Sequence, residues 1–171
     1  MKVQEKIEML EIAALVPYAR NSRTHSKEQI AQIARSIQEF GFTNPVLVDA
    51  DGGIVAGHGR VMAAQSLGVG SVPCLRVDWL TEAQKRAYVI ADNQIALNAG
   101  WDDAILADEL RELQGADFDL NLLGFGADEL EKLLMDTSVP PATSAKEINP
   151  ENYVMGNQCL RCGFEYNEKQ A

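Results

Sequence analysis

Two glycines that bracket a histidine and precede an arginine, Gly57-His58-Gly59-Arg60, are the stretch of this sequence best suited to chemistry. The apolar run 54–56 before them predicts a short strand, and the residues from Val61 predict a helix of about two turns that closes at Gly68. A strand, a glycine turn and a helix start bring free backbone N–H groups to the positive end of a helix dipole. Together with the charge of Arg60, this arrangement predicts a site for phosphate or another anion. A tight strand-to-helix corner without a ligand is the alternative.

Three other groups of polar residues are candidates for the same site. His58 is a candidate general base or phosphate donor, because the pKa of a histidine side chain lies near neutrality, or else a hydrogen-bonding turn residue. The loop Arg20-Asn21-Ser22-Arg23-Thr24-His25 carries two arginines and a histidine, which suits closure over a nucleotide or contact with a DNA backbone; a solvated loop is the alternative. Asp92 and Asn93 either line the site or cap and terminate a helix.

The cysteines suggest a metal site rather than disulfides, since an odd number of three argues against a disulfide framework. Cys159 and Cys162 form the Cys-x-x-Cys-Gly pattern of a zinc knuckle, but only two of the four ligands are present. A second chain of a homodimer that completes the site, a decayed knuckle and a redox pair remain open. Cys74 stands alone in a strand-like run, which predicts a buried, inert thiol.

The net charge of -10 is confined to the C-terminal part of the chain. Residues 1–100 hold ten basic and ten acidic residues, whereas residues 101–171 hold five basic and fifteen acidic ones. Phosphate neutralisation needs Lys and Arg, so only the N-terminal part suits a nucleotide or DNA, and the C-terminal part suits a protein-facing surface. The sequence has neither an apolar run long enough to cross a bilayer nor an apolar leader, which predicts a cytoplasmic protein.

Strands and helices alternate up to about residue 98, and only helices are predicted after it, which favours an α+β fold: a small mixed sheet with packed helices and an acidic helical extension. The predicted strands cover residues 7–16, 46–48, 54–56 and 71–77. The predicted helices begin at capping boxes, Ser26 with Gln29 and Thr81 with Gln84, and again near residues 101, 120 and 128. The proposed boundaries are a domain at 1–100, an extension at 101–135, a linker at 136–150 and a Cys-x-x-Cys tail at 151–171.

Three stretches in this order resemble the N-terminal domain of the ParB family, whose fold is shared with sulfiredoxin. They are Leu15–Asn21 with Ser36–Val48, Ile54–Arg60, and Leu80–Gln94, and together they cover roughly residues 8–98. The longer form, with Asn98-Ala99-Gly100-Trp101-Asp102, looks like modules of phages and mobile elements that occur beside DNA methyltransferases. The resemblance implies that Gly57, Gly59 and Arg60 bind nucleotide phosphates and that Asp92 and Asn93 hold Mg²⁺ or the nucleotide.

The sequence departs from the family pattern in two ways. Partition proteins that use CTP have Gly-Glu-Arg-Arg at the turn and sulfiredoxin has Gly-Cys-His-Arg, whereas this chain has His58 and a single arginine. Partition proteins also continue into a helix-turn-helix that reads DNA, whereas residues 101–135 here are acidic and offer no basic recognition face. A partner, such as a DNA methyltransferase or a partition protein, is therefore expected to supply DNA contact.

Three functions remain in competition at this point. The first is a nucleotide- and DNA-associated module of a mobile element that works with a DNA-modifying or partition partner. The second is an enzyme acting alone, either an ATP-dependent phosphotransferase, for which His58, Arg60 and Asp92 supply the groups, or a nuclease. The third is an adaptor without catalysis, whose acidic end docks onto a partner.

Overall fold

The computed structural model describes residues 6–19, 21 and 23–135, together with the backbone of residues 157–158 and 165–166. Arg20, Cys159 and Cys162 and the predicted linker 136–150 lie outside the described residues. Within the Cys-x-x-Cys tail, Asn157–Gln158 (β5) pairs antiparallel with Glu165–Tyr166 (β6).

A four-stranded mixed sheet forms the centre of the N-terminal part. Its strands are Ile7–Glu11 (β1), Val46–Val48 (β2), Ile54–Ala56 (β3) and Ser71–Arg76 (β4), in the order β1-β4-β2-β3. The β2–β4 pair is parallel, whereas β1–β4 and β2–β3 are antiparallel. The predicted edge strand within 7–16 is therefore confirmed but shorter, because the chain enters a 3-10 turn at Ile12–Ala14.

Three helices pack around this sheet: Lys27–Phe40 (α1), His58–Ser66 (α2) and Glu82–Leu97 (α3). α1 packs on α2, and α3 packs on β3. The main core is aliphatic and joins the sheet to α2 through Val46, Val48, Val61, Ala64 and Val72. Cys74 belongs to the same core and is fully buried, as predicted, and burial raises the pKa of its thiol. The predicted α+β class is confirmed.

Two local expectations are wrong in instructive ways. α2 begins at His58 rather than at Val61, so His58, Gly59 and Arg60 form its first turn instead of a loop before it. The capping box at Ser26 is only half formed: the Ser26 hydroxyl accepts the Gln29 N–H at 3.2 Å, but the Gln29 side chain turns to His25. The box at Thr81 and Gln84 is complete.

Residues after α3 form a helical extension, with Asp103–Gly115 (α4), a 3-10 turn at Leu120–Leu123 and Ala127–Met135 (α5). Buried Leu110 and Leu130 lie where α4 and α5 pack together, and the 3-10 turn lies against α1. Among the described residues, none of the helices has the length and apolar character needed to cross a bilayer.

Candidate functional site: the N-terminus of α2

The site begins at Gly57, which caps α2 in a left-handed conformation. Its φ is +100°, which L side chains rarely adopt, so glycine is required here. A Cβ at this position would also lie 2.9 Å from Nη2 of Arg60. The backbone therefore turns sharply out of β3 and leaves the N–H groups of His58, Gly59 and Arg60 at the end of the helix, where no intrahelical acceptor exists. These groups and the positive end of the helix dipole favour an anion.

The guanidinium of Arg60 lies beside this helix end and is incompletely paired. Its Nη2 donates to the carbonyl oxygen of Pro45 at 3.1 Å. Its Nε is buried and has no hydrogen-bond partner in the part of the chain that the structure describes. Burial lowers the pKa of Arg60, and the carboxylate of Asp92 and the hydroxyl of Tyr88 act in the opposite direction. A buried donor without a partner is costly, so this atom marks a position where an acceptor from a ligand would be stabilised.

A cavity of about 170 Å³ opens at this helix end and collects most of the predicted site residues. Its lining includes the turn from Gly57 to Arg60, the loop residues Asn21, Arg23 and His25, and Asp92 and Asn93 of α3. Segments that are far apart in sequence thus meet at one point, since α1 packs on α2 and α3 packs on β3. The basic loop, which the sequence left open as a solvated one, lines this cavity through Arg23 and His25.

The hydrogen bonding of His58 leaves only one of its ring nitrogens available for catalysis. Its Nε2 accepts a hydrogen bond from the backbone N–H of Tyr18 at 3.2 Å, so this nitrogen is unprotonated and only Nδ1 is left to act on a ligand. Burial, and then the charge of His25, lower the pKa of His58 below its usual value. The imidazole is therefore neutral at pH 7 and fastens the Tyr18 segment to the first turn of α2.

The second histidine of the chain packs directly over the turn. A Cβ on Gly59 would lie 3.0 Å from both Cε1 of His25 and Cδ1 of Ile33, so a larger residue would require these side chains to shift by a few tenths of an ångström. Nδ1 of His25 is 2.9 Å from Oε1 of Gln29 in the first turn of α1, and this contact holds the imidazole ring in place. Glycine is thus favoured at the two positions for different reasons: at Gly57 by the positive φ of the backbone, and at Gly59 by the close side chains of His25 and Ile33.

Asp92 and Asn93 lie in the interior of α3, four to five residues before its end at Leu97, so they do not terminate the helix. The Asp92 carboxylate accepts from the Tyr88 hydroxyl at 3.3 Å, and the Asn93 amide donates to the Val89 carbonyl at 2.8 Å. No cluster of three or more His, Cys, Asp or Glu side chains suited to a metal occurs among the described residues. A Mg²⁺ ion held by Asp92 would accordingly need phosphate oxygens and water as its other ligands, which is how Mg²⁺ usually binds with nucleotides.

Arg60 also lines a second, larger cavity of about 370 Å³ on the α1 side. Amide and hydroxyl side chains of Gln32, Ser36, Thr43 and Asn44 contribute to its walls, and Leu122–Gly124 of the extension closes one side. No sequence pattern indicates this cavity, because its walls come from a helix, a loop and the 3-10 turn of the extension. The sequence also missed Tyr18 and Pro45, which contribute only backbone atoms.

Comparisons with known proteins identify two families along the chain. The family described as ParB N-terminal domain matches residues 1–93. The family described as ParB-methyltransferase HTH domain matches residues 104–153, which include α4 and α5. In the described part of this second region, eleven residues (116–126) connect α4 to α5. That connection is longer than the three or four residues usual in a DNA-binding helix-turn-helix.

Individual relatives agree with the first match. A "ParB-like nuclease domain-containing protein YnaK" from Escherichia coli (strain K12) is 52% identical over 86 residues, which are 50% of this chain and 99% of that protein. Among solved structures, a C-terminally truncated chromosome-partitioning protein ParB from Caulobacter crescentus, complexed with CTP-gamma-S, is similar with a TM-score of 0.62 and 22% identity. The similarity covers 75% of this chain and 77% of that one, which shows a shared fold.

Proposed function

The chain belongs to the ParB N-terminal domain family, and from this premise we propose that it is a nucleotide- and DNA-associated module of a mobile element. In this proposal the phosphates of a nucleoside triphosphate bind at the N-terminus of α2 against Arg60. A DNA-modifying or partition protein is the partner with which the module acts.

The observation that carries the proposal is the unpaired, buried Nε of Arg60 beside the free N–H groups of the first turn of α2. A phosphate oxygen at this position would pair with the guanidinium and with the helix end at once. The cavity of about 170 Å³ is too small for a whole nucleotide, whereas the adjoining cavity of about 370 Å³ has the size and the polar groups that suit a nucleoside. Arg60 forms part of the wall of both.

Magnesium fits the proposal through Asp92. Its carboxylate lies close enough to oppose the lowering of the Arg60 pKa by burial, so its charge would also repel an incoming triphosphate. A divalent cation between the carboxylate and the phosphates would remove this repulsion. CTP is a natural first candidate, because the Caulobacter protein was complexed with CTP-gamma-S. The single arginine and His58 in the turn leave ATP and GTP to be compared with it.

The negative charge of the helical extension supports the proposal that a separate partner protein reads the DNA. The region matched by the ParB-methyltransferase HTH domain includes residues 104–135, and the whole extension from 101 to 135 carries ten acidic and two basic residues. Such a surface repels the phosphate backbone. The family description itself supports a methyltransferase as the partner.

Titration calorimetry with CTP, ATP and GTP, with and without Mg²⁺, tests the nucleotide site. We expect Arg60→Ala to weaken binding by about tenfold or more, in the range of a charge-assisted contact, and Arg60→Lys to restore part of it. Arg35→Ala is the matched control, because Arg35 is an exposed cation on α1 outside both cavities. If no nucleotide binds to the wild type, or if the control loses as much affinity as Arg60→Ala, the proposal is wrong.

A nuclease is the second candidate, because the relative from Escherichia coli is described as having a ParB-like nuclease domain. His58 would have to act through Nδ1, since its Nε2 is engaged with Tyr18. Incubation of supercoiled plasmid with the protein and Mg²⁺ or Mn²⁺ tests this function. Nicking that is lost in His58→Ala but kept in His25→Ala would favour it over the binding module.

The zinc site predicted from Cys159 and Cys162 stays a proposal, because both residues lie outside the described part of the chain. Two ligands from each of two chains would complete a four-coordinate site in a homodimer. Metal analysis of the purified protein should then find about one zinc ion for two chains, and no zinc would exclude it.

A further inference from the structure

The helical extension carries a surface groove with both apolar and charged walls, which lies outside the proposed nucleotide site. The groove lies between the N-terminal part of α4 and the side of α5, and it has a volume of about 280 Å³. Its apolar walls are Trp101, Leu106, Phe125 and Leu133. Trp101 and Phe125 contact each other with ring centroids 5.8 Å apart, yet Trp101 is still 71% exposed. An indole with so much exposed area, next to a cavity, is a typical anchor for a partner side chain.

The surface around the groove is strongly acidic. Of the ten acidic side chains between 101 and 135, nine are exposed, and Asp103 and Glu129 lie in the groove wall itself. Lys132 is a basic member of the wall, and the other basic residue of the extension, Arg111, is paired with Asp108 at 2.8 Å. The groove therefore combines apolar side chains with a surrounding negative charge that attracts cations.

We propose that this groove is the docking site for a basic amphipathic segment of a partner protein, in which Lys and Arg surround apolar side chains. The apolar side chains of the groove suit the apolar face of a helix, and the acidic side chains in and around it suit the basic charges that flank such a face. DNA is disfavoured because these acidic side chains repel phosphates. A second copy of the extension would bring the same negative charge to the contact. The chain's own residues 136–171 have five acidic and three basic residues and are not complementary either.

A fluorescein-labelled peptide of fifteen residues, with Lys and Leu at helical spacing, tests the proposal by fluorescence anisotropy on the full chain. A Lys and Ser peptide of the same charge measures attraction without an apolar face. We expect the Lys/Leu peptide to bind about tenfold or more tightly than the Lys/Ser peptide, and Trp101→Ala to remove this preference. Binding of both peptides with equal strength, or of neither, overturns the proposal.

Charge variants locate the contact. Asp103→Lys with Glu129→Lys should weaken the Lys/Leu peptide by about tenfold or more, whereas Glu112→Lys with Asp117→Lys, the same change in charge outside the groove, should weaken it far less. Equal losses in both variants would mean unspecific attraction and overturn the proposal. Acrylamide quenching gives a second measurement, with the emission that is lost in Trp101→Phe assigned to Trp101. If Trp101 is protected from quenching in the free protein, its own chain or a second copy covers the groove and the proposal is wrong.

Discussion

Nε2 of His58 accepts a hydrogen bond from the backbone N–H of Tyr18 at 3.2 Å, across 40 residues of sequence. This contact joins the first turn of α2 to the segment that leads from the sheet into the basic loop. Two of the three stretches that carry the family resemblance are thereby fastened to each other through an imidazole that must stay neutral. The proposed nucleotide site therefore shares His58 with the pH response that we predict for the fold.

The first prediction concerns stability against pH. The pKa of His58 in the folded protein lies below its ordinary value of 6.5, so the unfolded chain binds the proton more tightly. Stability from this group is complete above pH 6.5 and is lost as the pH falls below it. Each unit of pKa lowering corresponds to about 1.4 kcal/mol, or roughly 3–6 °C in Tm for a chain of this size. Thermal unfolding between pH 8 and pH 5 measures the effect.

Substitution of the two histidines assigns that effect. The chain has only these two, so His58→Ala should flatten the pH dependence, and at pH 8 it should cost about 1 kcal/mol for the lost acceptor of the Tyr18 N–H. His25→Ala should leave most of the pH dependence in place. A wild-type slope that persists in His58→Ala would show that another group is responsible.

The second prediction separates backbone strain from displacement of Arg60. Gly57→Ala should destabilise the protein by about 1–2 kcal/mol because of its φ of +100°, and it should also weaken nucleotide binding, since the added Cβ lies 2.9 Å from the Arg60 guanidinium. Gly68→Ala, at the other end of α2, is the control: its φ is +71°, but apart from its chain neighbours no atom of the described residues lies within 4 Å of an added Cβ. Urea unfolding should show similar losses for both variants, and calorimetry should show lost binding only for Gly57→Ala. Unchanged nucleotide affinity in Gly57→Ala would contradict the assigned position of Arg60.

The third prediction concerns the Mg²⁺ dependence of nucleotide binding. Asp92→Asn removes a charge that opposes a triphosphate near Arg60, so binding without Mg²⁺ should strengthen, by about tenfold at most for a partly exposed pair, while the gain from adding Mg²⁺ should shrink. Asp78→Asn removes a carboxylate outside both cavities and should change neither value. The pair of titrations with and without Mg²⁺ is the measurement. If Asp92→Asn gains as much nucleotide affinity from Mg²⁺ as the wild type does, Asp92 is not the carboxylate that binds the cation.

The fourth prediction concerns the turn between β2 and β3. The Asp49 carboxylate accepts from the N–H of Gly53 at 2.7 Å and of Asp51 at 3.0 Å, and from Nζ of Lys85 on α3 at 2.9 Å. Burial alone would raise the pKa of Asp49, but Lys85 and these N–H groups outweigh it, so the pKa lies below 3.8. Asp49→Ala should lower the free energy of unfolding by about 1–3 kcal/mol, because it leaves the part-buried Gly53 N–H without its acceptor.

Urea unfolding at pH 7 and at low pH checks the Asp49 prediction. The contribution of Asp49 is present above pH 3.8 and is lost as the pH falls through its lowered pKa, so wild type and variant should converge in acid. Asp51→Ala is the control, because it removes a carboxylate from the same turn but keeps the Asp51 N–H that Asp49 accepts. If the free energies of unfolding of wild type and Asp49→Ala differ as much in acid as at pH 7, the ionised form of the Asp49 carboxylate is not the source of the stability.

Residue patterns were sufficient to predict most of the secondary structure. They were also sufficient to show that the turn at residues 57–60 resembles a phosphate-binding site. Ser26 and Thr81 mark helix starts, because each of these signals acts within a few neighbouring residues. Such local signals also locate Gly57-His58-Gly59-Arg60 between a strand and a helix. The predicted start of α2 at Val61 is wrong, because a glycine in the first turn of a helix has the same sequence signal as a continuing loop.

Tertiary structure alone decided what these residues do together. The Gln29 side chain has two partners within reach, Ser26 and His25, and it contacts His25 because packing of α1 on α2 brings that ring over Gly59. Tyr18 and Pro45 act through backbone atoms that any residue type carries, so no sequence pattern reveals them. The unpaired Nε of Arg60 and the groove beside Trp101 likewise arise only where separate segments meet. Sequence determines which groups are available and where helices begin, whereas packing determines which groups meet and which are left without a partner.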